Sequence, residues 1–194
     1  MLESRRLRLR ELTDADFEAV HEYGSDPEVV QFMNWGPNTE QDTRDFLERA
    51  RNAALAEPRL TYDLAVVSKE SGRLLGAIGF YVAPEAFQAM LGYCYSAGSW
   101  GRGYATEAAE TVIRFGFDVL MLNRIWAGCD PDNAASIRVL EKTGMTLEGR
   151  LREDVRIRGE FRDSLVYGVL EREWRRWVER PSQGSPARRE AHDA

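Results

Sequence analysis

The chain has little histidine and little cysteine, two of each in 194 residues: His21 and His192, Cys94 and Cys129. Both cysteines lie inside apolar, strand-like segments and lack metal-ligand spacing, so neither a disulfide framework nor a zinc site is indicated, and no metal is expected. No run approaches the ~18 apolar residues of a membrane span. The start, MLESRRLRLRELTDAD, alternates Arg and Leu where a signal peptide would carry an apolar stretch, so a cytoplasmic protein without a membrane partner is expected. An excess of positive charge is missing too. With 26 Lys and Arg against 32 Asp and Glu, the formal net charge of -6 argues against general nucleic-acid binding and favours cationic partners. There is no internal repeat. What is present, 43% hydrophobic residues, suffices for one domain with a sizeable core over residues 1–180. Residues 181–194, the polar PSQGSPARREAHDA, are expected to form a disordered tail.

Arg6 to Arg10 alternates as an edge strand does, and Thr13-Asp14-Ala15-Asp16 opens a helix running to about Tyr23. Asp26-Pro27 starts another short helical turn. Thr39 is the N-cap expected for an amphipathic helix to Leu55. Three strand-like runs follow, Thr61 to Ser68, Leu74 to Val82 and Ala89 to Tyr95, which read as a meander. The rhythm then changes to helix over Tyr104 to Leu120, strand over Arg124 to Cys129, and helix over Asn133 to Thr143 closed by Gly144. A last pair of strands, Met145 to Arg152 and Ser164 to Leu170, precedes a helix from Glu171 to Val178.

Between the third strand and the long helix stands SWGRGYATE, residues 99–107. Glycines let a backbone approach a ligand closely, and a helix start presents unpaired N–H groups with about half a positive charge, so the loop suits phosphate. A P-loop is excluded because no Gly-Lys-Ser/Thr follows. A dinucleotide fingerprint fits poorly, with Thr106 at its third small position and no acidic residue at the expected spacing. The remaining alternative is a glycine hinge that binds nothing.

About thirty residues downstream comes DPDNAASIRVLEKTGMTLEG. Together the two segments resemble the Gcn5-related N-acetyltransferases (GNAT), particularly their RimJ/RimL-type branch. Gly103 and Ala105 match the small positions of the family's pyrophosphate loop, and Asn133, Ser136, Glu141, Lys142 and Gly144 match the second motif. Further matches are Trp35-Gly36-Pro37, Leu91 to Tyr95 and Asp163 to Tyr167, so the resemblance covers residues 5–178. Two positions depart from it. Trp100 stands where the loop usually opens with Gln or Arg, and Leu140 where some members carry a general-acid tyrosine.

The resemblance implies an α/β (α+β) fold with a mixed sheet of six to seven strands and helices on both faces. Two neighbouring parallel strands, around Tyr93 to Ser96 and Arg124 to Cys129, would splay to form an acetyl-coenzyme A cleft. It implies direct attack of an amine on the thioester. The cosubstrate would be held by Tyr93, Cys94 and Tyr95 on the strand, by Gly101, Arg102, Gly103, Tyr104, Ala105 and Thr106 in the loop, and by Asn133 and Ser136. Backbone N–H near Cys94 or Tyr95 would meet the oxyanion, and Ser136 would serve the leaving sulfur. For the base, direct register points to Val155, with Glu153 and Asp154 just before it, and the choice between these two stays open. Trp35 is the candidate for the acceptor pocket.

Each assignment has a plainer rival. Asn133 and Ser136 suit a helix cap, Cys94 a buried strand position rather than a nucleophile, and Trp35 a core plug. The acidic run Glu40 to Glu48 reads as a solvated helix face, and Glu107 as a salt-bridging or exposed residue. Two function classes follow: an acetyltransferase acting on a protein N-terminus or a small amine, as monomer or homodimer, and a non-catalytic acetyl-coenzyme A-binding regulator.

Overall fold

The computed structural model of the chain describes residues 1–179, so the tail expected from residue 181 lies outside the described residues. Strand β1 (Leu2–Glu3) and strand β2 (Leu7–Glu11) precede two helices, α1 (Phe17–Gly24) and α2 (Glu40–Ala54). The meander is β3 (Thr61–Ser68), β4 (Leu74–Ala83) and β5 (Gln88–Tyr95). Then come α3 (Tyr104–Asp118), β6 (Arg124–Cys129), α4 (Ala134–Lys142), β7 (Thr146–Ile157), β8 (Glu160–Leu170) and α5 (Glu171–Glu179). All eight strands form one sheet in the order β1-β2-β3-β4-β5-β6-β8-β7. Every pairing is antiparallel except β5 with β6. One strand more than expected is present because the two residues of β1 pair with Leu9 and Arg8 at the sheet edge, too short a run to show a period.

Helices cover both faces. The larger core cluster joins Leu7, Leu9, Val66, Phe80, Leu91 and Ile125 of the sheet to α3, α4 and α5 through residues such as Val112, Leu140 and Trp174. A smaller cluster joins Ala65, Val67, Ala77 and Cys94 on the opposite face to Val20 and Tyr23 of α1 and Leu47 and Ala50 of α2. Adjacent strand residues thus feed opposite cores, as the two-residue period of a strand requires. Burial of a phenylalanine such as Phe80 or Phe117 contributes roughly 1.5–3 kcal/mol. Close contact of α3 with the sheet depends on Gly116, whose added Cβ would stand 2.8 Å from both Ile125 Cδ1 and Phe80 Cζ.

α2 starts where its cap predicts. The Asp42 N–H donates to Thr39 Oγ1 at 3.2 Å and the Thr39 N–H to Asp42 Oδ2 at 2.8 Å, a reciprocal capping box. Asp26-Pro27 forms only a single turn, closed by the Val30 N–H on the Asp26 carbonyl, and no helix. The last hairpin is longer than its sequence suggested, with irregular register between Leu147 and Gly149 and again between Leu151 and Val155. No helix among the described residues is long and apolar enough to cross a membrane.

Candidate active site

The parallel pair at the centre of the sheet is short. β5 and β6 register only at Gln88 with Arg124, Ala89 with Ile125 and Met90 with Trp126. Beyond Met90, β5 stays paired with β4 as far as Tyr95, and beyond Trp126, β6 stays paired with β8 as far as Cys129. Their facing edges part, leaving backbone groups on both sides of the gap without a strand opposite. A cavity of about 1210 Å³ lies on the α1–α2 face of this splay, and a smaller one of about 110 Å³ adjoins it beside α4. Gly92, Tyr93, Gly128 and Cys129 line both.

At the end of β5 the glycine loop turns into α3. Gly101 has φ +72° and Gly103 φ +77°, a region in which a side chain is strained, and Gly103 is the residue preceding the helix. The absent Cβ of Gly101 would meet nothing within 4 Å, so the loop backbone faces open space. The first N–H groups of α3, on Tyr104, Ala105 and Thr106, have no acceptor within the helix. Trp100 does not point a charge at this cradle; its indole N–H donates to the Tyr95 carbonyl at 2.9 Å and fixes the loop to the strand. The Tyr95 ring itself is buried in the larger core, with no hydrogen-bond partner on its hydroxyl among the described residues.

A clamp from the N-terminus holds the loop from the other side. Glu107 accepts from the Ser4 hydroxyl at 2.7 Å, the Arg6 N–H at 2.7 Å and the Arg6 Nε at 2.6 Å. The same guanidinium donates to the Arg102 carbonyl at 3.0 Å and lies 4.7 Å from the centre of the Tyr104 ring. Burial alone would raise the Glu107 pKa, but these donors outweigh it and hold the carboxyl below the ordinary glutamate range. Glu107 is thus a salt-bridging residue, and Arg6, which sequence reasoning missed, is its partner across the fold.

On α4, the Asn133 side chain is the N-cap, accepting from the Ser136 N–H at 3.0 Å. The Ser136 hydroxyl lies 2.9 Å from the Tyr93 hydroxyl, across the small cavity's lining. Leu140 is fully buried and supplies only packing. Burial raises the Tyr93 pKa, so the phenol is neutral near pH 7. Burial also pushes the thiols up, Cys94 to about 12 and Cys129 to about 11. Neither is a thiolate at neutral pH, so Cys94 is a buried strand residue and not a poised nucleophile. Upstream of Asn133, buried Asp130 accepts two bonds from Arg162 at 3.0 Å, which ties the turn before α4 to β8.

The large cavity is bounded by α2, the 32–38 loop and the β7–β8 hairpin. Trp35 lines it and is 39% exposed, outside both core clusters. Asp154 and Val155 line it as well, whereas Glu153 does not. Glu153 sits in the irregular stretch with φ +51°, its N–H donating to Asp163 Oδ1 at 2.9 Å. Two more acidic groups face the cavity from α2, Asp42 and Asp45, so the run from Glu40 to Glu48 is only partly a solvated face. From the sheet, Asp63 accepts a bond from the Tyr81 hydroxyl at 2.8 Å; both line the cavity, and neither was singled out from sequence.

A splayed parallel pair beside a glycine loop opening a helix is the arrangement that the acetyltransferase resemblance implied. Residues 6–146 match the family described as acetyltransferase (GNAT) domain, and the chain belongs to the GNAT family of N-acetyltransferases. It is 32% identical over 171 residues to the uncharacterized N-acetyltransferase YnaD of Bacillus subtilis, covering 88% of this chain and 97% of that one. It is 33% identical over 175 residues to the uncharacterized N-acetyltransferase p20 of Bacillus licheniformis, covering 89% and 97%. Among solved structures, a GNAT-family acetyltransferase from Bacillus anthracis superposes with a TM-score of 0.79 at 32% identity, over 88% of this chain and 98% of the other.

Proposed function

We propose that the protein transfers an acetyl group from acetyl-coenzyme A to an amine by direct attack, with no covalent enzyme intermediate. The observation that carries this reading is the β5–β6 gap, open to a large cavity on one side and flanked by the Gly101 to Thr106 cradle. The positive-φ glycines and the unpaired first turn of α3 fit a diphosphate. Acetyl-coenzyme A, when bound, supplies the activated acetyl group and a thiolate leaving group. The chain's own residues do the rest. Backbone N–H groups of residues 101–106 bind the diphosphate, and the parted strand edges accept the pantetheine arm. Backbone N–H at Cys94 or Tyr95 donates to the thioester oxygen as charge develops there. Ser136, with Tyr93 behind it, donates to the leaving sulfur. Of the two carboxylates read from sequence, Asp154 is the one that lines the acceptor cavity, so it takes the ammonium proton, directly or through water.

The acceptor side favours a cationic amine. Asp42, Asp45, Asp63 and Asp154 line the cavity against Arg49, while the charge of Asp130 is met by Arg162. A protein N-terminal amine, which the RimJ/RimL-type resemblance implies, is the competing acceptor. Thiol release from acetyl-coenzyme A, measured with small amines and with short peptides bearing free N-termini, tests the reading. Turnover with either class supports an acetyltransferase and identifies its acceptor. Tight coenzyme A binding without turnover on any amine would instead support a regulatory binder.

A further inference from the structure

We propose that Asp63, held by Tyr81, is a specificity-determining carboxylate that binds a second positive charge on a linear amine whose reacting end lies at the β5–β6 splay. This rests on the acetyltransferase reading above and deepens it. Asp63 on β3 is in register with Gly79 on β4, and Gly79 with Gly92 on β5. Residues in register share a sheet face, so these three form one row across the floor of the large cavity. Gly92 is bare and the Tyr81 ring covers Gly79, so the path from the carboxylate to the point where β5 leaves β6 passes over the Tyr81 phenol. The length of the path is two strand spacings, about 10 Å.

The path is shaped by particular residues. A Cβ at Gly79 would lie 2.3 Å from the Tyr81 hydroxyl, so glycine there is what lets the Tyr81 ring fold back along its own strand and reach Asp63. A Cβ at Gly92 would meet nothing within 4 Å, so that end is open. Asp63 stands in a strand whose next residues, Leu64 to Val67, are all buried. Burial pushes its carboxyl above the ordinary aspartate range, against the opposing pull of Tyr81, Arg49 and Arg59. Arg59 is already engaged, forked onto Glu11 at 2.9 and 2.8 Å and lying 4.2 Å from the Tyr62 ring centre. Asp63 takes part in no salt bridge among the described residues, and a ligand cation would relieve the cost of keeping it ionised. A peptide N-terminus offers no such second charge at a fixed distance.

The test compares linear diamines from diaminobutane to diaminooctane with monoamines of the same length, followed by thiol release. The wild-type protein should favour the best diamine in kcat/KM by about 10- to 100-fold, the worth of one charge-assisted bond in a partly buried site. Asp63→Asn should reduce that ratio to near one, chiefly through the diamine KM, and Asp63→Glu should restore part of it. Tyr81→Phe keeps the ring and should lower the ratio several-fold, which serves as a second readout if Asp63→Asn folds poorly. Equal use of diamines and monoamines, a preference that survives Asp63→Asn, or a kcat loss common to every amine would overturn the proposal. Turnover confined to peptides would overturn it while leaving the acetyltransferase reading intact, and turnover on no amine at all would remove both.

Discussion

The hydroxyl pair of Ser136 and Tyr93 gives a double-mutant cycle with a definite expectation. The two oxygens are 2.9 Å apart and line the small cavity at the splay, with Leu140 offering no proton in their place. If Ser136 donates to the leaving sulfur, Ser136→Ala should lower kcat by roughly 10- to 1000-fold, or about 1.4–4 kcal/mol of barrier. If Tyr93 acts through Ser136, Tyr93→Phe should produce a loss of the same order. The double variant should then be no slower than the slower single variant, because removing either member of a unit removes its whole effect. The coupling energy is therefore expected to approach the smaller single loss. Acetyl-coenzyme A affinity, measured by calorimetry, should change little. Each lost hydroxyl also removes a bond worth about 0.5–1.5 kcal/mol of stability, a melting shift of roughly 1–6 °C for a domain of this size. Losses in kcat that add within ~0.5 kcal/mol would refute the relay. A Ser136→Ala variant with wild-type kcat and an earlier melt would refute Ser136 as a donor altogether. Capping is a separate matter, since the bond at that helix start is made by the Asn133 side chain to the Ser136 backbone. Asn133→Ala should cost about 1 kcal/mol of stability for that reason alone.

Gly103→Val places a β-branched side chain at φ +77° in the loop, so coenzyme A affinity by calorimetry should fall at least tenfold, and unchanged affinity in a folded variant would remove the cradle. Arg6→Ala should raise the KM for acetyl-coenzyme A several-fold with a smaller effect on kcat, and Arg6→Lys should recover part of the loss; a pure kcat defect would contradict a clamp on the loop. Because the folded Glu107 pKa is depressed, its contribution to stability is present at neutral pH and disappears as pH falls through about 4.3 toward the folded value. Melting curves from pH 7 to 3.5 should accordingly fall less steeply in Glu107→Gln than in the wild type. Gly116→Val meets Ile125 and Phe80 at 2.8 Å and should destabilise by about 1–3 kcal/mol, read from urea unfolding with an unchanged slope.

Local chemistry was legible in the sequence and long-range pairing was not. Thr39 and Asp42 form their cap three residues apart, and the strands from Thr61 to Tyr95 follow from alternation and intervening turns, so a reader of a short window can find both. The positive-φ glycines of the loop and the α4 cap at Asn133 belong to the same class. Arg6 and Glu107 meet only because β2 and α3 fold together, and nothing near either residue in the chain announces the other. Asp63 gave a local sign, a lone carboxylate opening a buried strand, but its meaning depends on two glycines supplied by β4 and β5. The choice between Glu153 and Asp154 stayed open in the sequence for a reason of register. Counting straight along β7 assumes one residue per partner, and the irregularity between Leu151 and Val155 breaks that assumption at these two residues. The eight-strand count and the length of the last hairpin were missed because β1 is short and β7 is exposed on both faces, so neither shows a burial period.

Strand order across the sheet departs from order along the chain at one place, where β8 sits between β6 and β7. During synthesis, β6 and then β7 are made before the strand that joins them. Until β8 has docked, β6, which pairs with β8 along its whole length from Arg124 to Cys129, has an open edge. Chains that end before Glu160 cannot close that edge by any later rearrangement of their own. They are the species in which intermolecular strand pairing, and so loss of soluble protein, should concentrate.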